Sequence, residues 1–303
     1  RHSHSVRTAS IGCGQIPRSI LRSLSSLASL MAFNIGDVGI RGDGQTVNVS
    51  ITTTKENLSG ILNLIGEIIK QPAFAQAEFD KLKEEQISNL ESSRSEPQSI
   101  AFRVFGKTLN PYPKDDFRYE MSFDEEKDAL NKLTLADIKN FYERFYTTSN
   151  ATAAIVGDFD EPSLVISLNN LLDKWGSPVL YERAIEPYFD VTPVNEKINT
   201  PDKANAMMVA GMNLPLKDDN ADYPALLVGN YMLGGGFLNS RLATRIRQKE
   251  GISYGVGSQL QASSLDESGG FLSYAIYNPD NSEKLIAAWK EEIQKNEECY
   301  DTY

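Results

Sequence analysis

Two side chains seven residues apart, Arg247 and Tyr254, are the groups in this sequence best suited to chemistry. They lie in GGGFLNSRLATRIRQKEGISYGVGSQ, residues 234–259. A guanidinium presents five N–H donors and a phenol one O–H donor, so a converging pair can hold a single ligand carbonyl. The element before them reads as a helix, SRLATRIRQKE, with Leu242 and Ile246 on its buried side. At 100° per residue, Arg241 and Arg245 share a side with Gln248, whereas Arg247 points elsewhere, beside Ala243. Gly251 stands where a helix ends on a left-handed residue, and a strand follows at once. Such a helix–strand corner brings Arg247 and Tyr254 to one place. A plainer reading competes: an exposed arginine, and a core tyrosine in strand parity with Ile252, Val256 and Leu260. The strand parity of Tyr254 favours this plainer reading.

Other candidate chemistry is thin. Gly234, Gly235 and Gly236 precede a helix, as a phosphate loop would. They lack both the Gly-Lys-Ser/Thr ending and the Gly-x-Gly-x-x-Gly spacing, so the run reads as a flexible connector. The only histidines are His2 and His4, too few nearby ligands for a metal site. Two cysteines, Cys13 and Cys299, exclude a disulfide framework and leave the compartment open. A net charge of −11 and a pI near 4.8 argue against a nucleic-acid surface. No apolar run approaches the roughly 20 residues that span a bilayer. The Arg- and Ser-rich stretch that opens the sequence reads three ways: a targeting peptide, a non-native tail over 1–40, or a domain whose start is missing.

The elements that would position the pair follow from patterning. QTVNVSITTT alternates as a half-buried strand, and KENLSGILNLIGEIIKQ carries Leu58, Ile61, Leu62, Ile65, Ile68 and Ile69 at helical spacing. Helices are expected in QAEFDKLKEEQISNLESSRS, in EPQSIAFRVFGKTL and in TLADIKNFYERFY, the last opened by a Thr134–Asp137 capping box. ATAAIVGDFD reads as a short buried strand and EPSLVISLNNLLDKW as a helix. GSPVLYERAIEPYFDVTPV, with three prolines and no periodicity, reads as a linker. Beyond it come the strand NAMMVAGMNLPL, a helix through YPALLVGNYML, the strands SYGVGSQLQAS and GGFLSYAIYN, and the helix SEKLIAAWKEEIQK.

SITTTKENLSGILNLIGEIIK aligns with YAIYNPDNSEKLIAAWKEEIQ at a constant offset of 224 residues. Ile61 falls on Leu285, Leu62 on Ile286, Ile65 on Trp289 and Ile69 on Ile293. A shared strand–turn–helix implies two copies of one fold. The expected division is residues 1–185 and 186–303, the first copy lacking its start and the second its end, as in a fragment of a longer protein.

NSRLATRIRQKEGISYGVGS closely resembles the Arg/Tyr motif of the pitrilysin/insulinase-type zinc metallopeptidases, including the step from Arg247 to Tyr254. TLADIKNFYERFY…NATAAIVGDFD resembles the end of one domain of that family, and DKANAMMVAGMNLPL the start of the next. The likeness extends over most of residues 45–295. It implies an α/β (α+β) fold of two related metallopeptidase-type domains, the third and fourth of four, each an antiparallel-rich sheet packed with helices. In the family, one half binds zinc through His-x-x-Glu-His and a downstream glutamate, and the other half contributes the Arg and Tyr. The sequence has no His-x-x-Glu-His and no histidine after residue 4. The resemblance therefore implies a zinc-free, substrate-binding half, inactive alone, whose metal-bearing half is upstream or a separate subunit. Arg247 and Tyr254 would orient the peptide substrate, with Tyr254 donating to the developing oxyanion. Gly255 and Gly257 would let the substrate backbone approach closely. The family also contains inactive structural subunits, which is the alternative function. Relatives of this type imply a periplasmic address.

Overall fold

The structure, a computed structural model, describes residues 9–10, 31–33, 36–42, 46–148, 150–173, 175–176, 179 and 181–300. His2, His4, Cys13 and most of the 1–40 tail lie outside the described residues. The chain separates into two compact units, residues 1–90 with 113–184, and residues 91–112 with 185–303.

In the first unit, β1 (Ala9–Ser10), β2 (Met31–Phe33), β3 (Gly36–Gly42) and β4 (Thr46–Thr53) form an antiparallel sheet in the order β1-β4-β3-β2. A turn of 3-10 helix over Lys55–Asn57 leads into α1 (Leu58–Lys70). Its Ile61, Leu62 and Ile65 are buried, as their spacing requires, and Ile61 and Ile65 pack on Val38 of β3. Burial of each such side chain is worth about 1.5–3 kcal/mol. A second core joins Leu90, in α2 (Gln76–Ser93), to Leu130, in α4 (Phe123–Lys132). Lys83 fastens the same helices by donating to the carbonyls of Asn131 and Leu133. The Thr134–Asp137 capping box forms at the head of α5 (Leu135–Phe145), each partner accepting from the other's backbone N–H. The Tyr142 hydroxyl of α5 donates to Ile69 O at 2.6 Å.

One expected element is absent. Residues 151–156 form no strand, and Val156 is 97% exposed. A strand needs a neighbouring ladder for its backbone groups, and no described residue pairs with this segment. The helix after it, α6 (Glu161–Leu172), does form, opened by Asp160 accepting from Ser163 N–H.

In the second unit, β5 (Ala206–Leu214), β6 (Ser253–Ala262) and β7 (Gly269–Tyr277) form an antiparallel sheet in the order β5-β7-β6. α3 (Pro97–Leu109), grouped with residues 1–185 by sequence, belongs to this unit. Its Phe105 ring lies so close to Gly211 of β5 that a Cβ there would meet it at 2.9 Å. Asn213 donates to Leu109 O and to Phe189 O, joining α3 and the irregular segment after residue 184 to the strand. α7 (Tyr223–Asn230) and α8 (Ser282–Tyr300) complete the unit. The core gathers Leu233, Leu242, Ile246, Ile252, Ala275, Tyr277, Leu285 and Ala288.

The repeat is visible in both units. The 3-10 turn Lys55–Asn57 between β4 and α1 recurs as Pro279–Asn281 between β7 and α8, at the 224-residue offset. Ile61 and Leu285, at equivalent positions, are both fully buried.

Candidate functional site: the Arg247–Tyr254 corner

The segment expected as an α-helix is wound more widely. Ala243–Lys249 is a π-helix, with Glu250 N–H donating to Arg245 O, five residues back. π-turns are rare and concentrate at functional sites. Gly251, at φ +64, ends it in the left-handed region, as its position predicts. Ile252 N–H then reaches back to Ile246 O, and β6 begins at Ser253.

Two of the helix arginines are occupied by α8. Arg241 donates from Nε to Glu292 Oε2 and from Nη2 to Glu292 O, both at 3.0 Å. Arg245 donates to Glu291 Oε2 at 3.0 Å and pairs with Glu250. Burial opposes ionisation of Glu292, yet hydrogen bonds from Lys295 and Arg241 outweigh it and hold its carboxyl below the ordinary range. Arg247 is different: it is exposed, and no described residue bonds or pairs with its side chain. Arg241 and Arg245 thus share one partner, as the helical angles predict, whereas Gln248 bonds Leu238 O instead and Arg247 is exposed although Ala243 is buried.

Tyr254 is not a core tyrosine. It is 82% exposed, although Ile252 before it is buried and Val256 after it packs on the core. The reason is a β-bulge. Ser253 stands opposite Tyr277, and Gly255 opposite Ile276, so Tyr254 is an extra residue with no partner. A bulge breaks strict alternation and re-aims the side chain it carries. Strand parity misplaced Tyr254 because parity assumes an uninterrupted ladder.

The two glycines differ. At Gly255 a Cβ would meet only Ile276 Cδ1 at 3.8 Å, an ordinary contact, so the backbone there is open. Gly257 is buried, and a Cβ would press the Tyr274 ring at 3.2–3.3 Å. Its missing side chain makes room for Tyr274.

The triple glycine is not a flexible connector. Tyr231–Gly235 is a second π-turn, closed by Gly236 N–H donating to Tyr231 O at 2.7 Å. A Cβ on Gly234 would fall 2.5 Å from the backbone nitrogen of Ser258 in β6, so this close approach needs glycine. Next in the chain is Phe237, which periodicity does not mark: 75% exposed, with φ at +52, a region bulky residues avoid. Ser240 Oγ donates to Phe237 O, and the Gln248 side chain donates to Leu238 O, which hold this turn against the Arg247 helix.

Nothing at the corner fits a metal. No three His, Cys, Asp or Glu residues come together among the described residues, and the sequence has no His-x-x-Glu-His. What the corner offers is a guanidinium, a phenol and an open stretch of backbone, all suited to holding a peptide carbonyl.

The family model described as "Peptidase M16 inactive domain" matches residues 132–298. The Helicobacter pylori protein "Non-peptidase homolog YmxG" is 26% identical over 225 residues, covering 72% of this chain and 50% of that protein. An "Uncharacterized zinc protease" of Rickettsia felis is 25% identical over 240 residues, covering 79% and 56%. Among solved structures, a peptidase M16 inactive domain from Pseudomonas fluorescens superposes with a TM-score of 0.75 at 20% identity, covering 93% of this chain and 70% of that one. Pitrilysin superposes at 0.54 and 14% identity, with 95% of this chain and 33% of that one. The chain spans about half the length of the curated relatives it matches.

Proposed function

Because the chain belongs to the peptidase M16 inactive-domain family, we propose that it is the zinc-free, substrate-binding half of a zinc-dependent peptidase. The metal is held by another half, in the same polypeptide or in a partner subunit. The observation that carries this reading is the bulge at Tyr254, which turns a phenol into solvent seven residues after an exposed, unpaired Arg247. Arg247 donates N–H bonds to a peptide carbonyl and fixes its direction. Tyr254 donates its O–H to the oxygen on which negative charge develops. Such a donor is typically worth about 10²–10³ in rate. Enclosing the peptide removes water from both groups and strengthens the two interactions. β6 is the outer strand of its sheet, so an extended peptide can pair along it near Gly255.

The test mixes the chain with a half bearing His-x-x-Glu-His, in the presence of zinc, and follows cleavage of fluorescein-labelled casein. Tyr254→Phe should lower the rate by about 10²–10³, and adding Arg247→Ala should abolish turnover. Wild-type cleavage by the double variant would overturn both roles.

One observation favours a second reading, a non-catalytic subunit: the Helicobacter relative is named a non-peptidase homolog. On that reading the two halves form a stable complex that cleaves nothing, and the double variant changes neither assembly nor stability.

A further inference from the structure

We propose that Ser253 is the positioning residue that sets the bulge and so turns Tyr254 outward. The functional consequence rests on the reading of Tyr254 given above; the geometric role does not. Ser253 is 5% exposed. Its Oγ lies 2.9 Å from Gly255 O, past the bulge on its own strand, and 2.8 Å from Ile276 O on β7. A bulge interrupts the local ladder, and buried carbonyls beside it need donors from elsewhere. One hydroxyl proton shared between these two acceptors bridges both sides of the interruption.

The first unit shows the same hairpin without this device. There β3 and β4 run in unbroken register, Gly36 opposite Thr53, then Asp37 opposite Thr52. Thr53 and Tyr277 occupy equivalent places in the repeat, so Gly36 stands where Ser253 stands. With glycine there is no hydroxyl, and the ladder continues; with serine the second copy carries one extra residue, Tyr254. An unbroken ladder that keeps Val256 opposite Ala275 would put Tyr254 opposite Tyr277, on the core face occupied by Leu233, Ala275 and Tyr277. The serine hydroxyl therefore selects the register that keeps the phenol in solvent.

Hydroxyl-radical footprinting of the full chain, read at Tyr254 by tandem mass spectrometry, tests this. Losing one buried donor shifts the balance between the two registers about tenfold, so Ser253→Ala should lower labelling of Tyr254. Ser253→Thr, which keeps the hydroxyl, should label as wild type. Ser258→Ala is the structural control: Ser258 is equally buried in β6 and donates to Asn230 Oδ1 at 2.7 Å, away from the bulge. It should leave Tyr254 labelling unchanged. Unchanged labelling in Ser253→Ala, or an equal loss in Ser258→Ala, overturns the proposal. If Ser253→Ala does not fold, Ser253→Cys keeps the size with a weak donor; reduced labelling supports the role and wild-type labelling overturns it. Fluorescence anisotropy with a fluorescein-labelled tryptic digest of casein separates the two levels. Weaker binding in parallel with reduced labelling supports both. Reduced labelling with unaltered binding leaves Ser253 in its role and removes Tyr254 as a peptide contact.

Discussion

Replacing Tyr254 by alanine distinguishes the two readings that its sequence position allows. Truncating an aromatic in a packed core costs about 3–5 kcal/mol. Tyr254 is 82% exposed, so less than a fifth of its surface is lost to neighbours. The packing share of that cost is then below about 1 kcal/mol. Loss of an aromatic from a strand adds up to about 1 kcal/mol in propensity. Tyr254→Ala should therefore destabilise the second unit by less than about 2 kcal/mol, and Tyr254→Phe by nothing measurable. Leu242→Ala, at a fully buried site in the same unit, should cost about 2–5 kcal/mol. The assay is urea unfolding followed by tryptophan fluorescence. The chain has two tryptophans, Trp175 in the first unit and Trp289 in the second. A Trp175→Phe background leaves Trp289 alone to report the unit of interest, which avoids treating two units as one transition. With a urea slope of ~2 kcal/mol/M, Tyr254→Ala should move the midpoint by less than about 1 M. A loss of 3 kcal/mol or more would mean a core tyrosine and refute the exposed-phenol reading.

Three further outcomes are expected. Gly234→Ala and Gly66→Ala both place a methyl about 2.4 Å from a neighbour, but Gly66 meets only the flexible end of Leu171 whereas Gly234 meets Ser258 backbone as well. Thermal unfolding should show Gly66→Ala near neutral, the helical gain of about 1 kcal/mol offsetting a shifted side chain, and Gly234→Ala destabilised by about 1–3 kcal/mol. Phe237→Gly relieves a positive φ in an exposed residue and should stabilise the second unit by about 1 kcal/mol, while weakening any partner that uses the ring. Glu125 accepts from Lys114 first, and from Ser122 at the head of α4, which lowers its pKa from 4.5 to about 2. A depressed carboxylate stabilises fully above pH 4.5 and loses that contribution as pH falls through about 2. The stability gap between wild type and Glu125→Gln should thus be level above about pH 5 and vanish near pH 2. Lys114 is 75% exposed, so the gap should stay below about 1 kcal/mol.

Features set by one-dimensional rules were legible in the sequence. The capping box at Thr134, the helical stripe of α1, the left-handed stop at Gly251 and the strand–turn–helix repeat each depend on a few neighbouring residues. What escaped depends on a partner distant in the chain. Residues 151–156 have the composition of a buried strand, but composition does not supply the neighbouring ladder. The glycine run looked flexible because its requirement lies in Ser258, more than twenty residues away. The π-winding of Ala243–Lys249 left no mark on the apolar pattern, since Leu242 and Ile246 are buried in either winding.

Tyr254 is the instructive case, because the repeat made its position readable by comparison where periodicity failed. Two hairpins of one fold differ by a single residue beside equivalent positions, glycine in one copy and serine in the other. In the first copy the register runs unbroken from Gly36 through Gly42, and the side chain exposed at that end is a carboxylate, Asp37, rather than a phenol. In the second copy one inserted residue changes the facing of a tyrosine without disturbing the core on either side, since Ile252 and Ala275 stay buried. The neighbouring arginines repeat the division: Arg241 and Arg245 are tied to α8, while Arg247 is left to solvent. An insertion that costs ladder bonds and exposes an aromatic persists only where surrounding contacts over-determine it. Here those contacts are the Ser253 bridge, the left-handed Gly251 and the two arginine clamps on α8. The two side chains that these contacts leave without partners, Arg247 and Tyr254, are the ones able to hold a peptide.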